Sequence, residues 1–285
     1  MKLNPEILQK VRHIEIHTRR LLGGLAMGDH SSSKKGFGLE FDQLRDYQVG
    51  DDVRCIDWSS TARADKILVR EYKEDRNRTI MLVVDGSASM FYGSTEELKS
   101  DVVAQVASVL ALAADYSRDT VGMILFSDNK KIVIPPSRGR AHVHMLMETI
   151  FMHKPSGKTS LSNALQAVLE LKRKDLIVFV LSDFLTSDYE KALKMVSKRH
   201  ETLAIHCYDA CELALPAFGL VPLRDPETGS DVLISTRSSE LSKFLDRQQN
   251  LIKDICIRSR VDMLSLQAGK SFIGDLIRFF RKQML

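Results

Sequence analysis

Cysteine is scarce: four in 285 residues, at Cys55, Cys207, Cys211 and Cys256. A disulfide framework is excluded in a chain of this length, and buried thiols in a reducing compartment are expected. His206, Cys207 and Cys211 stand close together, but no second Cys/His pair follows at zinc-ligand spacing. No apolar run approaches the roughly 20 residues that a membrane-spanning helix needs. The opening residues, MKLNPEILQKVRHIEIHTRR, are too charged for a secretory signal, so a cytoplasmic location is expected. Charge of one sign is not concentrated either. The net charge is +4, with denser basic spots only at Arg19-Arg20, Lys34-Lys35 and Lys172-Arg173-Lys174. These read as solvated surface, and nucleic acid is not implied.

The composition that remains is that of a globular chain, with 44% hydrophobic and 27% charged residues. Residues 5–22 carry apolar positions at near-helical spacing behind Pro5, predicting a helix. The stretch GGLAMGDHSSSKKGFG after it reads as a linker or as an ordered loop that needs a partner surface. Residues 38–78 are short, mixed and rich in β-formers, which suggests a small strand-bearing element.

From residue 79 the pattern is regular. Ile80–Val84, Val121–Phe126, Leu176–Leu181 and Leu203–Cys207 have the length and β-branched content of buried strands. Helical periods lie between them, two of them opened by the capping-box patterns Ser94 to Glu97 and Ser187 to Glu190. NKKIVIPP reads as an antiparallel edge strand. Beyond residue 210 the expectation is a strand–turn–strand, a charged helix over 238–260 and a shorter closing helix. The fold class is therefore α/β, a doubly wound and mostly parallel sheet with a small β-containing flanking element. The divisions expected are 1–78, 79–209 and 210–285, the last packing with the N-terminal segment.

The stretch TIMLVVDGSASMFYG carries the functional signal. Its buried strand runs into Asp85, Ser87 and Ser89, and in a doubly wound sheet ligands bind at the carboxyl ends of strands where chain order reverses. Asp183, in VFVLSDF, occupies the same end of another strand, and Thr159 lies on a loop just before a helix. Two carboxylates and three hydroxyls are hard oxygen donors, suited to Mg²⁺, Mn²⁺ or Ca²⁺ rather than to zinc or copper. An ion held mainly by neutral hydroxyls stays electron-poor and can take an acidic group from another molecule.

Asp85-x-Ser87-x-Ser89 with Thr159 and Asp183 resembles the metal-ion-dependent adhesion site of von Willebrand factor A domains, in the same order along the chain. Upstream, Glu40-Phe41, Leu44-Arg45, Tyr47, Gly50-Asp51-Asp52, Arg54, Ile56-Asp57-Trp58 and Ala62-Arg63 resemble the signature of the bacterial family called domain of unknown function 58. That resemblance implies a von Willebrand factor A-like, Rossmann-like core and a divalent cation, with Mg²⁺ expected. It also implies a partner in the form of a MoxR-type AAA+ ATPase or its client, in chaperone-like assembly or remodelling.

Other motifs read more plainly. SGKTS is not a phosphate loop, because position 152, five before Gly157, is Met. The only tryptophan, Trp58, is expected to pack at a junction among Arg–Asp pairs, with Arg54, Asp57, Trp58 and Arg63 as a minority candidate for a partner surface. His142 and His144 are expected at the surface. No base or nucleophile is fixed by motif near Asp85, so a non-enzymatic interaction module is expected. The alternatives are a Mg²⁺-dependent phosphoester hydrolase and a metal-free scaffold using the Arg54/Trp58 surface.

Overall fold

The computed structural model describes residues 40–64, 66–73, 78–127, 131–215, 219–224, 230–236 and 238–283. The helix expected over 5–22 and the segment 23–38 lie outside them. The chain divides into two compact units, residues 26–77 and the remainder.

In the smaller unit, β1 (Glu40–Asp46) pairs antiparallel with β2 (Leu68–Lys73). Two of the signature residues hold the turn between them: Arg45 meets Asp51 in a two-pronged ion pair, both N–O distances 2.7 Å, and Asp51 also accepts from the Gln48 amide. Asp57 caps the short helix Trp58–Thr61 and pairs with Arg70 at 3.0 Å. Within this unit Trp58 is left 65% exposed, and the ion pair of Asp57 is made with Arg70 rather than with Arg54 or Arg63. Arg63 folds back on Ser59 instead, and Arg54 is exposed.

The larger unit is built on a six-stranded sheet. Its strands are β3 (Thr79–Asp85), β4 (Thr120–Phe126), β5 (Lys131–Ser137), β6 (Leu176–Ser182), β7 (Glu201–Tyr208) and, after the β8–β9 hairpin (Leu220–Arg224 with Asp231–Ser235), β10 (Asp262–Gln267). The order across the sheet is β10-β7-β6-β3-β4-β5, parallel except for β5. The core strands are continuous apolar runs because both faces are covered. Helices Lys99–Tyr116, Arg140–Met152 and Ile273–Gln283 pack on one face. Helices Leu161–Glu170, Glu190–Ser197 and Ser239–Arg258 pack on the other. The fold is thus a doubly wound α/β sheet, and it takes its last strand from beyond the 79–209 stretch assigned as the core.

Chain order reverses beside β3: β4 follows it on one side, while β6 lies on the other. Val84 stands opposite Leu181, so the two strands end level. A crevice at their carboxyl ends follows from that topology.

Candidate metal centre

The loop after β3 turns at once. The Ser87 amide donates to Asp85 Oδ1 at 3.0 Å, and Ala88–Met90 forms a 3-10 turn that aims Ser87 and Ser89 the same way. The loop carrying Thr159 is tied to it through the backbone: the Ser156 amide donates to the Gly86 carbonyl at 3.0 Å and the Ala88 amide to the Gly157 carbonyl at 2.9 Å. Gly157 has φ +76°, a left-handed conformation that glycine adopts without strain. His153 Nε2 lies 3.0 Å from the same Gly86 carbonyl, and a side chain at Gly86 would overlap that ring. Phe184, buried after Asp183, is also left-handed at φ +56°. Bulky residues adopt this conformation rarely, and such strain clusters at functional sites.

These loops bring the five expected side chains together. Thr159 Oγ1 donates to Ser87 Oγ at 2.9 Å, Ser87 Oγ and Ser89 Oγ are 3.0 Å apart, and Ser89 Oγ is 3.5 Å from Thr159 Oγ1. The Ser87 amide bonds Asp85, the hydroxyl of Ser89 acts on Asp183, and the charge of Asp183 acts on Asp85 across the crevice. Asp85 (3% exposed) and Asp183 (0%) form the floor, while Ser89 and Thr159 are half-buried at the rim. In an octahedral shell with metal–oxygen distances of about 2.1 Å, neighbouring ligand oxygens lie about 3.0 Å apart. Two edges of the hydroxyl triangle are of that size and the third is 3.5 Å, and the donor set is of the hard-oxygen kind that suits a divalent cation.

Electrostatics separate the two carboxylates. Asp85 accepts from Ser182 Oγ at 2.5 Å and from the Ser87 amide, but no Lys or Arg among the described residues pairs with it. Burial, then the Asp183 charge, push its carboxyl up to about 7 against the pull of those hydrogen bonds. Burial also presses Asp183 upward, but the charge and hydrogen bond of Lys99 bring it below the usual carboxylate range. Lys99 Nζ is 2.8 Å from Asp183 Oδ2 and 2.5 Å from Glu212 Oε1, with its side chain 1% exposed. Burial works against the ammonium, yet the two carboxylates hold its pKa above the ordinary lysine value.

Motif reading does not find Lys99, Glu212, Ser182 or His153. Lys99 did leave a signal. It occupies the first position of a buried helical stripe continued by Val102, Val103 and Val106, and a lysine at an apolar position of a helix N-terminus runs against both burial and the macrodipole. The two capping-box readings fail for a tertiary reason. Ser94 gives both its amide and its hydroxyl to Asp209, at 2.8 and 3.0 Å, and the helix begins at Lys99 with Asp101 accepting from the Leu98 amide. Glu190 is the first residue of its own helix and pairs with Lys194 and Arg258. His142 is half-buried and bonds the Val121 carbonyl at 2.8 Å.

Similarity to known proteins agrees with this architecture. The protein Mb1516 of Mycobacterium bovis is 29% identical over 283 residues, covering 97% of this chain and 89% of its own. The crystal structure of BatB from Bacteroides thetaiotaomicron matches with a TM-score of 0.50 at 14% identity, over 72% of this chain and 98% of that one. The SpRpn10 VWA domain matches over 70% and 93% of the two chains, at 14% identity and a TM-score of 0.41. The fold is a doubly wound α/β one that BatB shares: a mostly parallel six-stranded sheet with one antiparallel edge strand and the DxSxS loop at its switch point. With the signature carried by the smaller unit and a family profile matching residues 43–250, the chain belongs to the family described as protein of unknown function DUF58.

Proposed function

We propose that this protein is a non-enzymatic, metal-dependent interaction module that captures an acidic residue of a protein partner. Asp85, Ser87, Ser89, Thr159 and Asp183 would hold the cation, with Mg²⁺ the expected ion and Mn²⁺ or Ca²⁺ compatible with the same oxygens. The bound ion supplies a positive centre with exchangeable positions at which a carboxylate can be accepted. Asp85 carries the reading. It is a buried carboxylate with no cationic side chain beside it among the described residues, under three hydroxyl oxygens 2.9–3.5 Å apart. An unpaired buried charge is costly, and a cation is one way of relieving it. Ser89 and Thr159, at the open rim, would face the partner.

The family resemblance supplies the partner class, a MoxR-type AAA+ ATPase or its client in the cytoplasm, in assembly or remodelling. The test is capture of such an ATPase by the immobilised protein, in Mg²⁺ and in chelator, for the wild type and for Asp85→Ala. Capture is expected only for the wild type in Mg²⁺. Capture indifferent to both changes would contradict the reading.

A further inference from the structure

The positive charge already beside the candidate centre is an ammonium. Lys99 begins the helix Lys99–Tyr116, at the end where the macrodipole disfavours a cation, and it is fully buried there. Burying an ammonium is expensive, and an apolar side chain would serve packing better. What holds it is a chain of polar contacts. Glu212 Oε1 takes one side of the ammonium, and Glu212 Oε2 accepts from the Asp209 amide at 2.9 Å. Asp209 in turn accepts from Ser94 and from the Cys211 amide. Lys99 is thereby anchored from behind, with Asp183 in front.

Asp183 is left with little to offer a second cation. Its Oδ2 accepts from Lys99 and its Oδ1 from the Leu185 amide at 3.1 Å. Among the described residues Asp85 has no such cationic partner. Of two carboxylates at one crevice, one is neutralised by the protein itself.

We propose that Lys99 determines the specificity of the centre as an internal competitor, withholding the charge of Asp183 from a divalent cation. This rests on the metal reading above. With Lys99 in place the centre offers a divalent cation essentially one free carboxylate, so the cation binds weakly alone and better when a partner's carboxylate completes the charge balance. Removal of the ammonium returns the charge of Asp183 to the cation and leaves Glu212 negative nearby.

The test is calorimetric titration of Mg²⁺ into the wild type, Lys99→Met and Lys99→Gln, with circular dichroism confirming that each is folded. Lys99→Gln keeps hydrogen-bond donors between Asp183 and Glu212 and carries the test if Lys99→Met does not fold. Affinity in the neutral variants is expected to rise by about tenfold or more, because a unit charge a few ångströms from the cation is removed. Damage to a merely structural residue would weaken binding, so the sign separates the two. Wild-type binding with unchanged or weaker binding in the variants would overturn the competition while leaving the metal reading intact. Binding only in the variants would uphold the competition and contradict a metal-loaded wild type. Binding in none would overturn both.

Discussion

His206 sits on β7 within 5.5 Å of the Tyr208 ring centroid and 6.2 Å of Phe184, and its Nδ1 is buried without a hydrogen-bond partner. Burial pushes its pKa from 6.5 down to about 4, outweighing the opposing pull of Asp183. A histidine depressed in the folded state contributes stability above the unfolded value of 6.5 that is lost as pH falls towards 4. Asp85, raised to about 7, works in the opposite direction: its contribution is present below the unfolded carboxylate value and is lost as pH rises through 7. Comparison with His206→Phe cancels the Asp85 effect and keeps the ring contacts. Between pH 7.5 and 5.5 the variant is expected to gain on the order of 1 kcal/mol on the wild type in urea denaturation. Parallel pH profiles would contradict it. At this scale the sequence was readable where residue type and chain order sufficed, as for the convergence of Asp85, Ser87, Ser89, Thr159 and Asp183. It was not readable where a partner came from far along the chain. Ser94 finds Asp209, 115 residues away, and Lys99 finds Glu212, 113 residues away.

Among the elements, the edge strand β5 shows how sequence and sheet agree. Pro135 and Pro136 cannot donate to a ladder, so an edge position suits them. Their bulge falls opposite Gly122, where the register shifts. A Cβ at Gly122 would lie 2.7 Å from the Pro136 nitrogen and 2.8 Å from the Ile134 carbonyl oxygen, both backbone atoms. Gly122→Ala is therefore expected to destabilise the fold by about 1–3 kcal/mol, measured by urea denaturation. A change below about 0.5 kcal/mol would show that β5 yields freely. The buried parallel strands were legible as continuous apolar runs. β10 was not: DMLSLQ mixes polar and apolar residues, because it is an edge strand with only Leu266 of its six residues fully buried.

For the molecule as a whole, the family profile spans both compact units, while the candidate centre lies in the larger one. The smaller unit exposes Val49, Val53 and Trp58. Among the described residues no helix is long and apolar enough to cross a membrane. The larger unit's doubly wound topology is what makes the candidate centre: it sets β3 beside β6 at the point of reversal, so residues nearly a hundred positions apart share one crevice. The most direct measurement is Mg²⁺ titration of the wild-type protein and of Asp85→Ala by calorimetry. One binding event per chain is expected for the wild type, weakened by about tenfold or more in the variant, since a charged ligand is lost. No Mg²⁺ binding by the wild type, or equal binding by both proteins, would contradict a cation held at Asp85.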